Sequence, residues 1–90
     1  MRLTAKQKQQ VLDACVVTRP GAKLLRKGEH WVAVWAVEYD ALIDPTVRVS
    51  SRAKWRAQVV TGVETNGTVW WNGTEGQAGT RRAAIEEALL

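Results

Sequence analysis

The chain has 90 residues, 46% of them hydrophobic, and a net charge of +4 from 13 basic and 9 acidic side chains. Its single cysteine excludes an internal disulfide, and one cysteine with one histidine cannot supply the four soft ligands of a structural zinc site. No apolar run approaches a membrane span, and the opening MRLTAKQKQQ lacks the apolar stretch of a signal peptide, so a cytoplasmic setting is expected.

Thr4 reads as a helix N-cap, with Gln7 three residues later completing a capping box. The helix predicted over 5–17 carries Val11, Leu12, Cys15 and Val16 on one stripe, which makes Cys15 a small core hydrophobe. Arg19-Pro20-Gly21 stops it, because the residue before a proline avoids the α region. Ala22–Lys27 suits either one more helical turn or a short extended piece, and Gly28 ends it. From His30 the period changes to two. Trp31, Ala33, Trp35, Val37 and Tyr39 alternate with Val32, Val34, Ala36 and Glu38, and both sides are largely apolar, as in a central strand. His30, at its head, reads as an edge or cap histidine. Asp40 to Pro45 follows as a loop.

The stretch 47–63 is predicted to be extended as well, with Ala53, Trp55, Ala57 and Val59 on a covered face and Arg52, Lys54, Arg56 and Gln58 on a wet one. Asn66-Gly67 between two extended runs signals a hairpin, on the expectation that both turn residues take positive φ. Asn72-Gly73, Gly76 and Gly79 read as a turn-rich link. Thr80 caps a last helix, with Ala84, Ile85, Ala88 and Leu89 as its apolar stripe and Arg82–Glu86 as an i,i+4 pair. The fold expected for 1–90 is one α+β, two-layer domain: an N-terminal helix, a three- or four-stranded antiparallel sheet and a C-terminal helix.

Catalytic chemistry finds no foothold in this pattern. His30 has no nucleophile or orienting acid at a recognisable spacing. Glu38, Asp40 and Asp44 lack the spacing of a calcium loop, and the glycines at 73, 76 and 79 lack the lysine and hydroxyl of a phosphate loop. The expectation is a non-enzyme with no metal and no cofactor.

Charge is banded along the chain. Residues 1–28 carry +6, 29–47 carry −4, 48–63 carry +4 and 64–90 carry −2. Alternate strand residues repeat about every 6.6–6.8 Å, so a row formed by Arg52, Lys54, Arg56 and Gln58, extended by Arg48, has a pitch suited to following a nucleic-acid backbone. Arg81 and Arg82 at a helix start would add phosphate contacts, and Trp70 or Trp71 would stack a base. The leading expectation is therefore a small basic DNA- or RNA-binding domain. The helix–three strands–helix order ending in Gly79-Thr80-Arg81-Arg82-Ala83-Ala84 resembles the double-stranded-RNA-binding domain. That resemblance gives Arg81 and Arg82 a phosphate-gripping role, although the family's paired lysines and glycine spacing are not reproduced. Lys54-Trp55-Arg56-Ala57, followed by a hairpin and a helix, resembles the sheet-plus-helix domains of plant ethylene-response factors and some integrase arms. It covers about 52–89 and implies that Arg52, Lys54 and Arg56 read a groove. The competing expectation is a protein–protein interaction module, such as an accessory subunit, an inhibitor or a homodimer. Its surface would use Trp31 and Trp35 from one strand face together with Trp70 and Trp71, which must diverge as strand neighbours.

Overall fold

The computed structural model describes residues 2–16 and 21–90, without the side chains of Cys15 and Val16. The core role of Cys15 and the stop at Arg19-Pro20 fall outside the described residues. Helix α1 (Ala5–Val16) opens on the expected capping box: the Thr4 amide donates to Gln7 Oε1 at 2.9 Å, and the Gln7 amide donates to Thr4 Oγ1 at 3.1 Å. The two side chains thereby satisfy amides that a helix start leaves without partners.

Four strands follow the chain order in one antiparallel meander: β1 (Lys23–Lys27), β2 (His30–Ala36), β3 (Trp55–Val63) and β4 (Val69–Ala78). β1 and β2 meet in a two-residue turn whose first member, Gly28, has φ +61°, where glycine is at home. At the β3–β4 hairpin the Glu64 amide donates to the Thr68 carbonyl and the Gly67 amide to that of Glu64. This is a three-residue loop in which only Gly67 takes positive φ, at +89°, and Asn66 does not.

Three segments depart from the sequence pattern. Val37–Ile43 forms a helix, α2, so the strand begun at His30 ends at Ala36. The residues before Trp55 are a loop, so only Arg56 and Gln58 of the expected row stand on a strand. The glycine-rich link is strand instead. β4 runs through Gly73 and Gly76 to Ala78, with Trp71 opposite Val60 and Glu75 opposite Gln58, so that Asn72-Gly73-Thr74 bulges across Val59. Gln58 Nε2 donates to the Asn72 carbonyl at 2.8 Å and so supplies a partner within the bulge.

Helix α3 (Arg81–Ala88) is capped by Thr80, whose hydroxyl accepts from the Ala83 amide at 3.2 Å. Its buried Ala84, Ile85 and Ala88 pack with Val32, Val34, Ala57 and Val59 on one sheet face. The other face is closed by the α1 end of the molecule, where Leu3 and Val11 meet Val60, Trp31 and Trp71, while Ala33 and Trp35 pack with Ala22 and Leu24. The α+β class with terminal helices flanking a four-stranded antiparallel sheet is thus what forms. The two helices take opposite faces, so the sheet lies between them where the sequence pattern predicts two layers.

Candidate interaction surface

The expected basic row does not exist as a surface. Arg56 stands in β3 with its side chain only 24% exposed, 3.4 Å from Asp40 and 4.0 Å from Glu75, so its charge is used internally. Gln58 is tied to the Asn72 carbonyl. Arg48, Arg52 and Lys54 lie in the loop between α2 and β3, off any strand ladder. Arg82 pairs with Glu86 at 3.2 Å, and Arg81 lies over the Trp55 ring at 4.7 Å from its centroid. With a helix on each sheet face, neither face is open to enter a groove or track a backbone. The nucleic-acid reading, and the groove-reading and phosphate-gripping roles implied by the two resemblances, are corrected on these grounds. An added strand β1 and helix α2 also break the helix–three strands–helix order.

The tryptophans separate by burial. Trp35 is buried, and its Nε1 donates to Asp40 Oδ2 at 2.7 Å. Trp31 is half-buried with Lys8 Nζ 4.5 Å above its ring, and Trp71 packs in the same cluster. Trp70 points the other way from Trp71 and is 55% exposed. Its cross-strand neighbour Gly62 has no side chain to cover it.

A second apolar exposure lies at the other end of the sheet, around α2. The Asp40 carboxylate, held by the Trp35 indole and Arg56, anchors α2 beneath the end of β2, and the Val37 amide donates to the Lys54 carbonyl at 2.9 Å. That anchoring turns Leu42 and Ile43 outward, 81% and 61% exposed, with Val49 of the following loop also in solvent. Ala36, Glu38, Val49, Lys54 and Trp55 line a cavity of about 220 Å³. Glu38 and Leu42 stand four residues apart on α2, so they share a helix face, and Leu42 sits one turn beyond the cavity wall. Asp44 closes the helix and accepts from both the hydroxyl and the amide of Thr46, which hold its carboxyl below the usual carboxylate range.

Leu42 and Ile43 escape the sequence reading because Asp40 to Pro45 looks like a loop, and Val49 escapes it because 47–63 reads as extended, whereas the structure has a loop up to Lys54. The acidic Glu38 and Asp40, suited to a helix first turn, were the available signal. His30 is exposed and borders a shallow cleft with Glu29, Thr61 and Asn72. Among the described residues no three His, Cys, Asp or Glu side chains gather to hold a metal ion, and no helix is long and apolar enough to cross a membrane. Comparisons with protein-family models, curated proteins and solved structures found no match to this chain.

Proposed function

We propose that this chain is a non-catalytic protein-interaction domain, an accessory or regulatory module that holds another protein against the surface made by α2, the loop 44–54 and Trp55. One observation carries the reading: Leu42 and Ile43 of α2 and Val49 of the next loop stand in solvent, and Val49 lines an apolar cavity whose wall also includes Glu38 of α2. Single exposed aliphatic residues are ordinary, whereas several large ones beside a concave apolar floor are the pattern of an interface that is open until its partner arrives. A cytoplasmic setting belongs to the same proposal.

Site-specific photo-cross-linking tests it. A photoreactive amino acid placed at Leu42 or at Val49 of the full chain should yield discrete protein adducts in cells. The same group at Glu87, exposed on α3, should yield none above background. Equal or absent adducts at all three positions would rule the surface out.

A further inference from the structure

The surface has a chemistry that selects among protein partners, and the inference rests on the interaction reading above. A cavity of about 220 Å³ is smaller than the roughly 300–1,000 Å³ pockets that enclose small ligands. It suits a large apolar side chain carried by a longer segment. Its lining is apolar at Ala36, Val49 and Trp55, with charge only at Lys54 and Glu38. Arg81 adds a guanidinium over the Trp55 ring. Neither Lys54 nor Arg81 has a carboxylate partner among the described residues, and Arg48 and Arg52 of the same loop are likewise exposed and unpaired there. Against these cations the lining sets only Glu38; Asp44 keeps its full charge, stabilised by Thr46, but lies at the C-terminal end of α2 and is not part of the lining. The rim is therefore net positive around an apolar floor.

We infer that the partner docks through an acidic segment bearing a large apolar anchor, the anchor seated against Trp55 and Val49 and its flanking carboxylates facing Lys54 and Arg81. A guanidinium resting on an aromatic ring is partly desolvated and keeps N–H donors free at its edge. A carboxylate arriving there makes a stronger contact than one in open water. Basic segments are disfavoured because they would bring like charge to Lys54 and Arg81, with Glu38 the one carboxylate in the cavity lining.

Selection of random dodecapeptides displayed on phage against the immobilised full chain tests this without presuming a sequence. Enriched peptides should combine Leu, Ile, Phe or Trp with neighbouring Asp or Glu. A synthetic copy of the best one should weaken by at least about tenfold on K54E/R81E, the loss of one or two charge-assisted contacts. K27E, at the far end of β1 where it pairs with His30, should leave its affinity unchanged. Enrichment of basic or wholly polar peptides would overturn the inference, as would no enrichment at all or indifference to K54E/R81E. Two further outcomes also overturn it: a homodimer in light scattering that K54E/R81E abolishes, and saturable binding of labelled single-stranded DNA that the same variant abolishes. Photo-adducts at Leu42 and Val49 alongside any of these results would keep the interaction reading and reject the acidic partner.

Discussion

Asp40 is the residue on which the α2 end of the molecule turns. It is a buried carboxylate that accepts the Trp35 indole N–H at 2.7 Å and faces Arg56 at 3.4 Å. Removing one partner of a buried charged pair leaves the other without compensation, at about 3–5 kcal/mol when burial is complete. Arg56 is partly exposed and has Glu75 at 4.0 Å, so Asp40→Ala should cost less, about 2–3 kcal/mol. Asp40→Asn keeps an acceptor for the indole and should recover part of that loss. Urea unfolding of the two variants checks the order, and an Asn variant as unstable as the Ala variant would assign the whole effect to charge. Trp31 makes the contrast. Its Nε1 is buried with no hydrogen-bond partner among the described residues, so that indole contributes through its ring and the Lys8 ammonium above it.

At the scale of elements, the tightest junction is α3 against β4. A Cβ on Gly76 would overlap the Ala84 carbonyl oxygen and come within 2.6 Å of the Ala88 nitrogen, and both are backbone atoms that cannot swing aside. Gly76→Ala should therefore destabilise by at least about 1–3 kcal/mol, as overpacking does. Gly73→Ala, with nothing within 4 Å of its Cβ position, should stay within about 0.5 kcal/mol of the parent. Parallel denaturant melts decide it, and equal midpoints would mean that the helix does not sit on Gly76. The same junction explains a misreading. Gly73, Gly76 and Gly79 look like chain breakers, yet Gly76 is small so that a helix can lie on the strand, and Gly73 sits in a bulge. A glycine carries the same letter whether it releases the chain or admits a neighbour. The helix caps at Thr4 and Thr80, the hairpin at Gly67 and the stripe of α3 were legible because each is set within a few residues. The candidate surface was not, since Leu42 and Ile43 are ordinary apolar residues until Asp40 anchors α2 and turns them outward.

For the whole molecule, the sheet between α1 and α3 implies a gradient of stability. β2 and β3 are the inner strands, paired on both edges and covered on both faces. The α2–loop end has few buried apolar side chains and keeps Leu42, Ile43 and Val49 in water. Native-state hydrogen exchange should find the amides of Val32, Val34 and Ala57 opening only with global unfolding, and those of 48–52 exchanging orders of magnitude faster. Comparable protection in both regions would mean that the loop is held by contacts absent from this structure. A pliable end beside a rigid sheet is also what a docking surface uses, since its loop can adjust to a partner at little cost to the fold.

Local chemistry in the sequence determined the α+β class, the capped ends of α1 and α3, the β3–β4 hairpin and the divergence of Trp70 from Trp71, because each depends on a dihedral preference or a period of two or 3.6. Only the tertiary structure decided that Val37 leaves the strand, that β4 runs on through its glycines, that the helices take opposite faces and that Arg56 turns inward to Asp40. Those outcomes depend on which distant groups compete for a backbone amide, a carboxylate or a sheet face. Alternation of side chains is the same whether a face meets water or a second layer. The net charge of +4 belongs to the first category, and where its cations point belongs to the second.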